Sequence, residues 1–171
     1  MPSVLDSLLS RVIAVQNGLQ SGEIVREVVV RHPDDILNLQ REQLFEGKAS
    51  NGEDLRPYYS EDLKPSGHFW SVETAGRYAA WKQSLSYPYS AANRNPDAPN
   101  LYINGRFHSE LEVRFGPDEV AVVGGTGYAE GIMMRYGLDK FGLMAERWNF
   151  LFREMGGYNE LLEQVKNKLW Q

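Results

Sequence analysis

The stretch from Phe107 to Val123 constrains the fold more than any other part of the chain. Leu111, Val113 and Phe115 alternate with Glu110, Glu112 and Arg114, Gly116-Pro117-Asp118 supplies a turn, and Val120 to Val123 runs back. Alternation with period two marks a half-buried strand over Phe107–Phe115, and the turn with its apolar return predicts an antiparallel hairpin. Strands joined this way need no crossover helix, so a parallel sheet is not what this segment builds. The elements around the hairpin therefore decide the class.

Those elements are mostly helical in pattern. Near the N-terminus, Val4, Leu5, Leu8, Leu9, Val12, Ile13 and Val15 recur at three and four residues until Asn17-Gly18, with Ser3 as N-cap. Pro33 with Asp34 and Asp35 fits the first turn of a helix whose buried face is Ile36, Leu37, Leu39, Leu44 and Phe45, and which Gly47 ends. Further helices are predicted at Val72–Leu85, at Tyr128–Tyr136 before Gly137, and at Leu143–Met155 and Tyr158–Trp170 around Gly156-Gly157. Ile24, Val25, Val28, Val29 and Val30 form a β-branched run that leans towards strand, although periodicity alone does not decide it. Asn51-Gly52 predicts a small hairpin or ordered loop within Lys48–Pro57.

The predicted class is α+β: an antiparallel hairpin or small sheet packed with N- and C-terminal helices, plus long aromatic-rich loops. A length of 171 residues suits a single domain over 1–171, long enough to bury a core without disulfides or metal. There is no cysteine, which removes disulfide frameworks, thiolate zinc sites and cysteine nucleophiles together. The interrupted apolar pattern over Met1–Gln20 matches neither a signal peptide nor a membrane span, so a soluble, intracellular product with no membrane partner is expected.

Chemistry is hard to locate. His32, His68 and His108 lie far apart and share no H-x-x-x-H or H-E-x-x-H spacing, so no metal site is expected. His108, Glu110 and Glu112 fall on one face of the predicted strand, where simple half-buried alternation explains them. Gly124-Gly125-Thr126-Gly127 follows a strand and precedes a helix, yet it lacks the GK[ST] ending of a phosphate-binding loop and its strand belongs to a hairpin. A tight turn with close packing accounts for these glycines, and no cofactor is expected. Asp34/Asp35, Glu53/Asp54 and Glu61/Asp62 point apart as sequence neighbours, and no nucleophile has a recognisable partner base. The chain is expected not to be an enzyme.

The segment 58–100 is the loop-rich part, with aromatics at Tyr58, Tyr59, Phe69, Trp70, Tyr78, Trp81, Tyr87 and Tyr89. Base stacking would need a basic groove beside them, but Lys64, Arg77, Lys82 and Arg94 are scattered among acids and the net charge is -5. Sequence-specific nucleic-acid binding is therefore not expected. Protein interfaces favour Tyr, Trp and Arg, which nominates Tyr58, Tyr59, Phe69, Trp70, Tyr87, Tyr89 and Arg94 as contact residues.

A further pattern runs through Leu39-Gln40, Gln43-Leu44, Gly47, Asn51-Gly52, Pro57, Tyr58-Tyr59, Tyr78, Trp81-Lys82, Leu101 to Ser109, Tyr136-Gly137 and Phe141-Gly142-Leu143. In order and spacing it resembles small virion morphogenesis proteins of tailed bacteriophages and prophages, of the tail-completion, neck or minor-tail kind. The likeness spans Leu39 to Leu143, with Asn104 where the family pattern has Thr and a longer loop over Ser84–Asn100. The resemblance implies a non-catalytic structural role at the head–tail connection. Its implied partners are other copies of the chain in a ring and portal, adaptor or tail-tube proteins. The implied location is the virion, and the host cytoplasm during assembly. The alternative is a phage-encoded binding protein directed at a host target.

Overall fold

The computed structural model describes residues 4–56, 71–85, 98–116 and 119–170. They form eight α-helices, one short 3-10 helix (Leu138–Lys140) and one hairpin, so the chain is helix-rich α+β with a small two-stranded antiparallel sheet. The residues group into two units, 1–35 with 147–171 and 36–146.

The first unit is helical. It contains α1 (Val4–Gln20), α2 (Glu23–Val29), the end of α7 (Ala145–Arg153) and α8 (Gly157–Trp170). α1, α2 and α8 pack on one another. The β-branched run expected to lean towards strand is the helix α2. Ile24, Val28 and Val29 share one face of it and are buried, so packing against α1 and α8 outweighs the modest strand preference of valine. Gly18 lets the first two helices close up, since a Cβ there would lie 2.9 Å from Ile24 Cγ1.

The second unit holds most of α3 (Pro33–Phe45), then α4 (Val72–Ser84), α5 (Arg106–Ser109), β1 (Leu111–Phe115), β2 (Val120–Gly124) and α6 (Gly127–Tyr136). α4 and α6 match the expected helices to within a residue. Ser71 caps α4 by accepting from the Thr74 amide, and Thr126 caps α6 by accepting from the Ala129 amide. Ile36, Leu39, Leu44 and Phe45 of α3 are buried, as are Phe107, Leu111, Val122, Met133 and Phe141 of the same unit. Phe107 meets Phe141 edge to face, and Tyr102 lies edge-on to both Phe45 and His108.

β1 and β2 pair antiparallel with Leu111 opposite Gly124, Val113 opposite Val122 and Phe115 opposite Val120. The alternation holds from Leu111 onward, but the expected strand start at Phe107 is corrected. Gly105, at φ 83°, breaks the extended backbone, and Arg106–Ser109 make one helical turn that buries Phe107 and His108. His108 is thus not on a strand face with Glu110 and Glu112.

Candidate functional site

The seven residues nominated as contacts lie outside the described residues: Tyr58, Tyr59, Phe69 and Trp70 within 57–70, and Tyr87, Tyr89 and Arg94 within 86–97. Within the second unit, landmarks far apart in sequence meet at one junction. Gln43 Nε2 donates to the Gly142 carbonyl at 2.9 Å, its Oε1 accepts from the Met144 amide at 2.9 Å, and Gln40 Oε1 accepts from the Gly142 amide at 2.9 Å. Both glutamines are wholly buried, so these amides pair backbone groups that would otherwise be stranded without water.

The turn after α3 docks on the same segment. Leu55 N donates to Gly47 O, Ala49 N donates to Glu53 O, and Lys48 pairs with Asp54 at 2.7 Å. Ser50 then reaches across, its amide donating to Lys140 O at 2.9 Å and its hydroxyl to Asp139 O at 2.6 Å. Gly47 sits at φ 80° with Ala98 against it; a Cβ there would lie 2.7 Å from the Ala98 methyl. Gln40, Gln43, Gly47, Asn51-Gly52 and Phe141-Gly142-Leu143 are therefore parts of one structural joint, with backbone geometry as their common task.

Two histidines sit in opposite electrostatic settings. In the second unit, His108 is buried, its Nε2 lies 3.2 Å from the Asn100 carbonyl, and burial pulls its pKa down to about 4, with Arg41 and Lys82 adding to the effect. A neutral ring donating to a carbonyl is a packing element with no proton to exchange near neutral pH. In the first unit, His32 places Nδ1 2.7 Å from Asp35 and Nε2 3.0 Å from Glu160. The hydrogen bond to Asp35 raises its pKa, and the Glu160 carboxylate adds to this against the effect of burial. The ring ties the start of α3 to α8 through these two carboxylates.

The glycine loop 124–127 is crowded by carboxylates. Glu110 accepts from the Thr126 hydroxyl and from Arg106 Nε, the latter at 2.8 Å, and these bonds hold its pKa below the usual carboxylate range. A Cβ at Gly125 would meet the Glu112 carboxylate, and one at Gly124 would meet the Ala129–Glu130 backbone. Two carboxylates at the start of α6 repel a phosphate from the place a cradling loop would hold it. Arg106, over the Tyr128 ring at 4.5 Å, completes a latch between α5 and α6. Among the described residues, no group of three or more acidic or histidine side chains is placed to hold a metal, and no helix is long and apolar enough to cross a membrane.

The most unusual surface is in the helical unit. Among its described residues, only Val15, Ile24, Val28, Val29 and Leu151 are buried hydrophobics, whereas eleven large ones stand exposed, six of them on α1. The described residues of the second unit show the reverse, eleven large hydrophobics buried against six exposed. The sequence signals α1 as amphipathic, yet nothing in it tells which way the apolar side faces. Comparison with known protein families, with curated proteins and with solved structures gave no match.

Proposed function

We propose that the chain is a non-enzymatic structural component of a tailed-phage virion, a neck or tail-completion protein that acts in a ring at the head–tail connection. The observation that supports an assembly role is the imbalance in the helical unit, which leaves more large apolar side chains outside than inside. Exposed apolar area on this scale marks an interaction surface, because a soluble monomer gains little from a helix whose apolar side meets water. The assignment to a virion rests on the ordered landmarks from Leu39 to Leu143, of which Gln40, Gln43, Gly47 and Gly142 meet at the joint described above. On this reading that joint is the rigid frame and the helical unit is the part that neighbours complete.

Size-exclusion chromatography with light scattering on the full chain, alone and with neck and tail proteins of the same phage, tests the proposal. A closed oligomer or a stable complex is expected. A strictly monomeric chain that binds none of those proteins contradicts it.

A further inference from the structure

α1 has two faces, and the apolar one points away from the helices of its own unit. At about 100° per residue, Ser7, Arg11, Val15 and Gly18 share the side turned inward, where Arg11 Nη1 donates to the Leu169 carbonyl at 3.2 Å. The opposite side carries Leu5, Leu9, Val12 and Leu19 at 73, 58, 46 and 43% exposure, with Gln16 also exposed between the last two. The spacing of Leu5, Leu9, Val12, Gln16 and Leu19 is four, three, four, three, the repeat of a coiled-coil seam. Leu8 and Ile13, both exposed, flank this seam and widen it to the broad stripe of a helix that enters a bundle.

Charge selects among occupants. Asp6 and Arg11 are the only charged residues in α1, and the arginine is held by the Leu169 carbonyl, so the seam is uncharged in a chain of net charge -5. Two copies can meet here without the repulsion that an acidic surface would impose. A lipid surface is poorly matched, since helices that lie on membranes present Lys and Arg beside their apolar face and α1 has no lysine. In a parallel arrangement each seam residue faces its own counterpart. Gln16 then meets Gln16 of the next copy, a polar layer that fixes register, and Leu8 of one copy meets Ile13 of the next.

We infer that α1 is a self-association helix, whose exposed seam Leu5, Leu9, Val12, Gln16 and Leu19 packs in parallel and in register against α1 of further copies of this chain. A parallel bundle about a rotation axis is compatible with a ring, and the contact uses residues of α1 alone. It stands independently of the virion assignment.

The absence of native cysteine makes the test direct. Single Leu5→Cys and Leu19→Cys variants of the full chain are oxidised under mild conditions, with Ser10→Cys, exposed on the other side of α1, as control. Both seam variants are expected to give disulfide-linked dimers, and the control less than a tenth as much. Sedimentation of Leu9→Glu with Val12→Glu is expected to show at least tenfold weaker association at unchanged helical content, because both side chains are already exposed. A wild-type chain that is monomeric at high micromolar concentration overturns the inference, as does a wild-type monomer that floats with lipid vesicles. An oligomer unaffected by the two glutamates also overturns it while leaving a ring built through other surfaces intact. Cross-linking between Leu5→Cys and Leu19→Cys only when the two are mixed overturns the parallel arrangement.

Discussion

Gln43 Nε2 donates to the Gly142 carbonyl at 2.9 Å while Gln43 Oε1 accepts from the amide of Met144, so one buried side chain stands in for a strand neighbour. Replacing it with leucine keeps the volume roughly but strands a carbonyl and an amide. Gln43→Leu is expected to cost about 3 kcal/mol, the scale of leaving buried backbone groups unpaired. Urea denaturation measures it, and a change below about 0.5 kcal/mol, typical of a surface position, contradicts the pairing.

Gly124 and Gly131 separate packing from propensity. A methyl at Gly124 runs into the Ala129–Glu130 backbone, whereas one at Gly131, on an exposed position of α6, meets nothing. Gly124→Ala is expected to destabilise by about 2 kcal/mol or more through overpacking. Gly131→Ala is expected to stabilise by up to about 1 kcal/mol through helix propensity. Thermal melts of the two variants check the contrast, and equal shifts would refute it.

His108 predicts acid weakening of the second unit. Its folded pKa of about 4 lies below the ordinary 6.5, so the unfolded chain binds the extra proton first. The contribution is present above pH 6.5 and is lost as pH falls towards 4, on the order of 3 kcal/mol in all. The ring proton resonances of His108 should show no titration between pH 7 and 5. A midpoint near 6.5 would show the ring to be solvated.

His32 behaves in the opposite sense. Its pKa is raised by Asp35 and Glu160, so its contribution is complete below pH 6.5 and disappears as pH rises through the raised folded value. Glu160→Gln should lower the His32 midpoint in an NMR titration. An unchanged midpoint would mean that the 3.0 Å contact with Glu160 is absent in solution.

Much of the fold is legible in the sequence where one residue pattern has one physical meaning. Alternation gave the hairpin from Leu111, and Pro33 with two aspartates gave the start of α3. Patterns with two meanings were less legible. Val28 and Val29 suit a strand by propensity, and only their burial against α1 and α8 makes them helical. Phe107 and His108 continue the alternation by residue type, but Gly105 at φ 83° turns the backbone before they can extend. Long-range pairings were not legible at all: Gln40 and Gln43 read as polar positions on an amphipathic helix until Gly142 and Met144 are beside them. The direction of the α1 stripe belongs to the same class, because amphipathicity fixes which residues share a face and only packing fixes where that face points.

The proposed place of the chain in a virion is tested most directly by quantitative mass spectrometry of phage particles purified from cells that express it. The expected result is the full chain at a fixed number of copies per particle, in a ratio to the portal protein that stays constant through repeated purification. Absence from particles, with the chain present in the infected-cell lysate, would contradict a structural role and favour a binding protein directed at the host.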